Sequence, residues 1–202
     1  MPGKEHIQQS YPFSSFPDNP YLIANEMLNK SNRHGITGNI QATYNFTKDL
    51  SLMVRTSLDM ANEQRSQQRP YDTEKFKKGM FRTQAITSQE VNSDFLLRYN
   101  KKVNKDITIT ASVGGSQLRN HYNKDENRAD SLLYPGVYTL ANAAGILLPF
   151  PYRSEYAINS LYGVVTSSYK DFLFLDLTAR NDWSSILATP TNTDNVSFFY
   201  PS

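Results

Sequence analysis

The sequence predicts an all-β fold, in the form of a wall fragment of an antiparallel transmembrane β-barrel, with about six to seven strands. Three observations lead to this prediction. Apolar and polar residues alternate with a period of two in several segments, which is typical of β-strands. Short and long connections follow each other in turn between these segments. Finally, one of the two faces in each segment contains no charged residue.

The first predicted hairpin covers residues 37–60. Residues 39–46 (NIQATYNF) alternate apolar and polar side chains, and residues 50–60 (LSLMVRTSLDM) do the same after the short turn TKD. Arg55 and Asp59 fall on the polar face of the second segment. Two alternating runs joined by a tight polar turn are typical of a β-hairpin.

The same alternation predicts hairpins over 91–118 and 158–183, and each of the three turns contains a Lys-Asp pair. The third turn differs from the other two. If Phe172 began the apolar phase, Asp176 would fall on the apolar face. We therefore expect Leu173 to begin it, so that this turn extends one residue further beyond its Lys-Asp pair.

Long loops are predicted over 61–90 and 119–157, and residues 1–36 are predicted to form an extracellular loop region that precedes a partial barrel over 37–202. Bacterial barrels combine short periplasmic turns with long outer loops. About eight strands is the minimum for such a barrel, so six or seven would supply only part of a wall. The first residues also lack the apolar core of a signal peptide, which favours a fragment.

Large aromatic residues stand near the ends of the predicted strands, and we expect Phe46, Tyr99, Tyr169 and Trp183 to form an interfacial girdle. From Leu173 to Trp183, ten steps of about 3.3 Å tilted by about 45° climb roughly 23 Å. This rise is close to the apolar band of such barrels, which is about 25 Å tall.

The opposite face carries charges of both signs, as expected for the wall of a water-filled lumen. The residues predicted to face this lumen are Arg55, Asp59, Asp94, Arg98, Asp176, Arg180 and Asp182. A solvated outer face of a soluble sheet would show the same pattern, so a soluble all-β surface or structural domain stays open as an alternative.

Composition and motifs predict neither an enzyme nor a cofactor-binding protein. The chain has no cysteine, and its net charge of +2 gives no reason to expect a nucleic-acid partner. Its histidines are scattered without metal-ligand spacing. The carboxylates in NKDENRAD (123–130) lack the glycine and the terminal glutamate of a calcium loop. We therefore predict no catalytic or metal site.

Two loop segments have more than one interpretation. Lys75, Lys77 and Lys78 form a small basic patch, either as plain surface charge or as a contact for anionic lipopolysaccharide. The apolar segment AAGILLPFPY (143–152) either packs within its own loop, meets a partner, or folds over the lumen.

Several segments, in this order, resemble barrel segments of the SusC/RagA TonB-linked outer-membrane proteins of Bacteroidetes. The most specific is SYKDFLFLDLTARNDWSS at 168–185. The shorter ones are NPYLIANE at 19–26, GITGNIQATYNF at 35–46, PGVYTLAN at 135–142, INSLYG at 158–163 and FFYPS at 198–202.

This resemblance implies a parent barrel of 22 strands, plugged by an N-terminal domain that is absent from this chain. It implies import of oligosaccharides, peptides or similar nutrients across the outer membrane, with energy from TonB and a SusD-like surface lipoprotein as a lid. Outer-membrane lipid would surround the barrel. A TonB-dependent receptor for iron chelates or cobalamin is the alternative on the same architecture.

Overall fold

The computed structural model describes residue 8, residues 18–170 and 172–186, and the backbone of residues 196–201. The elements are α1 (Pro20–Glu26), β1 (Asn29–Asn45), β2 (Leu50–Tyr71), β3 (Lys78–Lys102), β4 (Ile107–Ala129), a 3₁₀ turn (Leu140–Asn142), β5 (Leu148–Pro149), β6 (Tyr152–Tyr169), β7 (Leu173–Ser184) and β8 (Val196–Pro201).

The strands form one sheet in the order β1-β2-β3-β4-β6-β7-β8, with the two-residue strand β5 paired to β4 off this path. Apart from β5, each strand pairs with the next one along the chain, so the sheet is an up-and-down meander. This arrangement confirms the prediction of an antiparallel all-β wall with about seven strands. No helix among the described residues is long and apolar enough to cross a membrane.

Contacts between residues divide the chain into two compact units. The first contains the described residues up to Gly35, Ala61–Thr87 and Tyr122–Arg153. The second contains Ile36–Met60, Ser88–His121 and the described residues from Ser154 onwards.

In the first two hairpin turns, both in the second unit, a side-chain oxygen accepts a hydrogen bond from the backbone N–H at the start of the returning strand. In the first turn the Phe46 N–H donates to the Leu50 carbonyl at 3.0 Å. The Thr47 hydroxyl accepts from the Leu50 N–H at 3.0 Å. In the second turn the carboxamide oxygen of Asn104 accepts from the Ile107 N–H at 2.8 Å. Such side-chain caps satisfy turn amides and so fix where the returning strand begins.

In the third turn, Tyr169 and Leu173 are partners across the ladder between β6 and β7. This pairing confirms that Leu173, and not Phe172, begins the apolar phase. Lys170 takes a left-handed backbone conformation with φ of 50°. The Lys-Asp pair therefore stands one residue further from the returning strand than in the first two turns.

Neighbouring turns are also joined through the backbone. The Asn100 N–H donates to the Asp49 carbonyl at 2.7 Å, and the Lys170 N–H donates to the Asp106 carbonyl at 2.7 Å. The aspartate of each of the first two turns therefore supplies a carbonyl to the strand or turn that follows. These bonds hold the ends of successive hairpins in register.

The structure corrects the loop predicted over 61–90. Strand β2 continues to Tyr71 and β3 begins at Lys78, so the connection is short. It turns at Asp72, which has a φ of 63°. The loop prediction was wrong because the side chains on both faces of the strand are polar in this segment. The sequence therefore shows no alternation of apolar and polar residues, although the strand itself extends through the segment.

The other predicted loops are also shorter than expected. Strand β4 continues to Ala129 and β6 begins at Tyr152, so the loop is shorter than the predicted range 119–157. In the region 1–36, α1 and the start of β1 replace the expected loop among the described residues. Pro20 occupies the first turn of α1, where a missing N–H costs nothing, and Asn19 caps that turn.

The remaining long loop is organised by one buried side chain, Asn142. Its Nδ2 group donates to the carbonyls of Tyr134 at 2.8 Å and Val137 at 2.7 Å. Its Oδ1 accepts from the Tyr134 N–H at 3.1 Å. Leu132, which is 1% exposed, belongs to the same loop, and its carbonyl accepts a hydrogen bond from the Tyr71 hydroxyl. The loop is thus an ordered part of the first unit.

Two adjacent glycines in β4 make room for aromatic rings of neighbouring strands. A Cβ atom on Gly114 would lie 2.5 Å from the Tyr162 ring, and one on Gly115 would lie 2.8 Å from the Phe95 ring. Consecutive residues of a strand point to opposite faces, so the two rings cover opposite faces of β4.

We expect Gly114→Val to destabilise the protein by about 1–3 kcal/mol, because a side chain at this position would clash with the ring of Tyr162. The measurement is the free energy of unfolding from denaturant titration. Gly38→Val is the matched control, since nothing lies within 4 Å of a Cβ atom at that position. Equal destabilisation by the two variants would contradict the packing role of Gly114.

Candidate functional site

One face of the second unit is apolar and exposed. Its large members are Ile40, Tyr44, Phe46, Val54, Phe95, Leu97, Tyr99, Val113, Leu161, Val165, Tyr169, Leu173, Leu175 and Leu177. The ladder sets Val165 opposite Leu177, and residues that face each other across a ladder share a face. These are the alternate positions that the sequence predicted to be apolar. We call this set the apolar face.

The four residues of the predicted girdle lie in this unit. Phe46 is exposed and meets the ring of Tyr44 edge-on, with centroids 4.9 Å apart. Tyr99 and Tyr169 are exposed as well. Trp183 is half-buried and pairs with Asn159 across the ladder. Their role at a membrane interface stays a prediction.

The opposite face, which we call the polar face, contains ion pairs between charged residues predicted for the lumen. Arg55 Nε lies 2.9 Å from Asp94 Oδ1 and so joins β2 to β3. Arg180 Nε lies 2.9 Å from Asp182 Oδ1, and Arg180 Nη2 donates to the Ser160 hydroxyl at 3.0 Å. Arg55, Asp94, Ser160 and Arg180 all line one open cavity of about 340 Å³.

The other predicted lumen residues do not join this cluster. Asp59 accepts a hydrogen bond from the Thr37 hydroxyl at 2.9 Å. Arg98 and Asp176 are exposed, and Asp176 stands opposite Thr166 across the ladder. Whether these side chains face a lumen stays a prediction, as for the cluster itself.

Sequence reasoning missed Tyr162, which lines the same cavity. The Arg180 guanidinium lies 6.0 Å from the centre of its ring, within range of a cation–π contact. Gly114 supplies the space on the neighbouring strand. A tyrosine among polar alternate positions, with a glycine on the adjacent strand, was the available signal.

A second missed feature is the buried carboxylate of Glu126 in the first unit. Gln84 Nε2 donates to it at 2.7 Å and Lys124 Nζ at 3.2 Å, while Arg82 Nη1 lies 3.4 Å away. Burial raises the pKa of Glu126, but these donors and cations outweigh it and leave the pKa lowered. The cluster therefore holds a charged carboxylate between β3 and β4.

Glu63, also in the first unit, is held by two neighbours. The Arg65 guanidinium donates to both of its oxygens, at 2.7 Å and 2.8 Å, and the Ser31 hydroxyl donates to it as well. The hydrogen bonds from Arg65 and then Ser31 lower the pKa of Glu63 to about 2.

The loop segments with open interpretations have defined surroundings. Lys75 lies over the Phe76 ring, and Lys77 Nζ lies 3.6 Å from Glu74. Segment 143–152 does not fold into its own loop alone. Through β5 it pairs with β4, and the Arg128 guanidinium lies 4.9 Å from the Phe150 ring.

No group of three or more metal-ligating side chains that could hold an ion occurs in the part of the chain that the structure describes.

Comparisons with protein-family models and with curated proteins gave no match. Solved structures do match. A chain of the RagAB peptide transporter superposes on 95% of this chain with a TM-score of 0.80 at 18% identity. The chain has the fold of part of a RagAB transporter chain.

A RagAB peptide importer structure in the "closed-closed" state gives a TM-score of 0.74 over 96% of this chain at 20% identity. This chain spans 22% of the length of the RagAB chains it matches. These solved structures are described as a peptide transporter and a peptide importer. The likeness to RagAB extends through the segments that the sequence suggested were loops.

The Glu63 contacts predict a pH-dependent contribution to stability. The folded-state pKa is lowered from 4.5 to about 2, so the contribution is present above pH 4.5 and is lost as the pH falls towards 2. We expect Glu63→Gln to be less stable than the unaltered protein at pH 6, with the difference shrinking between pH 4.5 and 2. Denaturant unfolding across this range measures it. A constant difference would contradict the assignment, and Arg65→Gln should reproduce the pattern.

Proposed function

We propose that this chain is part of the wall of a TonB-linked outer-membrane importer of the SusC/RagA type, which takes up nutrients such as oligosaccharides or peptides. One observation supports this most. A sheet with the fold of a RagAB segment exposes a band of large apolar side chains on one face, with no charge within that band, and bears ion pairs on the opposite face. Peptide transport, the activity by which RagAB is described, fits within this class of importer.

The apolar face is the part of the sheet that would meet lipid. A monomeric soluble domain rarely leaves so many large apolar side chains in one contiguous exposed patch, so a soluble surface domain is the weaker interpretation. In a bilayer the same side chains lie in their preferred solvent. The antiparallel ladder meanwhile pairs the backbone groups that hydrocarbon cannot hydrate.

The polar face suits the inside of such a barrel. Arg55 with Asp94, and Arg180 with Asp182, cancel each other's charge over short distances. A wall of paired charges is well hydrated but creates little net potential, so polar solutes of either sign can approach it.

A SusD-like surface lipoprotein and TonB are the partners we propose for the whole protein. The RagAB likeness supports a transporter architecture, and the loop around Asn142 offers a contact surface for a lid. Ile146 is 90% exposed in this loop, and Leu147 beside it is also exposed.

We expect Ile146→Ser combined with Leu147→Ser to weaken capture of the lipoprotein by the tagged whole transporter, because apolar side chains contribute most when an interface buries them. Co-purification from membranes measures this. Ile36→Ser, another exposed isoleucine but on β1, is the control. Unchanged capture would remove the loop from the interface.

We expect Leu177→Arg to reduce insertion into the outer membrane, because an arginine facing lipid near mid-membrane costs about 2–4 kcal/mol. Asp176→Arg introduces the same residue at the adjacent exposed position on the opposite face. The amount of folded barrel in the outer-membrane fraction is the readout. If both variants inserted equally well, the apolar face would not be the lipid-facing one.

A further inference from the structure

An open cavity of about 580 Å³ in the second unit lies between β3, β4 and β6. The residues that matter for its chemistry are Gln89, Val91, Arg119, His121, Glu155 and Ala157. All six have odd residue numbers, and the odd-numbered residues of the same three strands also supply Phe95, Val113 and Leu161 to the apolar face. Side chains of this series meet across the sheet, since Gln117 Nε2 donates to Asn159 Oδ1 at 3.0 Å. The cavity therefore opens on the face that we propose meets lipid.

The cavity lies where the first charged side chain of this face occurs along β4, counted from the hairpin turn. Along β4 the series runs through Ile107, Ile109, Ala111, Val113, Gly115 and Gln117, and Arg119 is its first charged member. Arg119 stands twelve residues after Ile107. At about 3.3 Å per residue and a tilt of about 45°, this distance is a rise of about 28 Å. It places Arg119 just beyond an apolar band about 25 Å tall, at headgroup depth.

Among the charged side chains of the cavity, Arg119 forms no ion pair with a described carboxylate. Glu155 Oε1 lies 2.8 Å from His121 Nδ1, so the cavity's carboxylate is engaged by the histidine. The Arg119 side chain is exposed and pairs with no carboxylate among the residues that the structure describes. A guanidinium presents donors in a planar fork that matches the oxygens of a phosphate.

We propose that this cavity binds the phosphorylated sugar headgroup of an outer-leaflet glycolipid. Arg119 binds the phosphate, and the Gln89 carboxamide hydrogen-bonds sugar hydroxyls. Val91 and Ala157 contact the first methylene groups of the acyl chains. This inference rests on the proposed position of the wall in the outer membrane, and it adds a ligand on the outside of the barrel rather than in its lumen.

The test uses the whole barrel protein inserted into phosphatidylcholine vesicles that contain lipid A, either with its phosphates or after their removal. Binding is measured by the displacement of a fluorescent lipid A. We expect Arg119→Gln to bind phosphorylated lipid A about tenfold more weakly, since charge-assisted hydrogen bonds are lost, and Arg119→Lys to bind it with intermediate affinity. Lys101→Gln removes the same charge near the turn end of β3 and should leave the affinity unchanged.

Unaltered binding by Arg119→Gln would overturn the proposal, and so would an equal loss in Lys101→Gln. Equal affinity of the unaltered protein for dephosphorylated lipid A would overturn it without any variant. Insertion is scored separately by protease protection of the barrel. Failure of the unaltered protein to insert would instead overturn the proposed function.

Discussion

The register of the antiparallel ladder is the constraint on which the rest of the structure depends. Side chains alternate between two faces with a period of two, so a slip by one residue would exchange the faces completely. In the slipped sheet Asp176 would join the apolar face, and Leu175 would join the ion pairs. The capped turns at Thr47 and Asn104 prevent such a slip at the point where each strand reverses. The distribution of charge follows from these turns.

The sequence predicted the hairpins wherever the two faces differ in polarity. Residues 39–60 and 159–183 combine an apolar series with a polar one, and the structure has strands at these positions. Between 61 and 71, and again between 119 and 129, both series are polar. Hydrogen bonding between backbones still favours the strand there, but no side-chain pattern reports it. The errors in strand length therefore have one cause.

The site was predictable in part for a related reason. A charged residue among polar alternate positions, such as Arg55 or Arg180, is visible in the sequence as a member of one face. Its partner on a neighbouring strand is not, because the partner depends on how far the two strands are offset. Glu126 shows the limit most clearly. Its donors come from β3 and from its own strand, and only the fold reveals that the carboxylate is buried among them.

The Asn142 clamp bears on how the long loop would meet another molecule. A flexible loop loses conformational entropy when it binds, at a cost of about 1–2 kcal/mol for each residue whose backbone becomes fixed. In this loop the Asn142 side chain already bonds to Tyr134 and Val137, so much of that loss has occurred during folding. A surface shaped in advance can associate without first searching for its bound form. Its recognition would therefore resemble that of a rigid body, with selectivity set by fit rather than by adaptation.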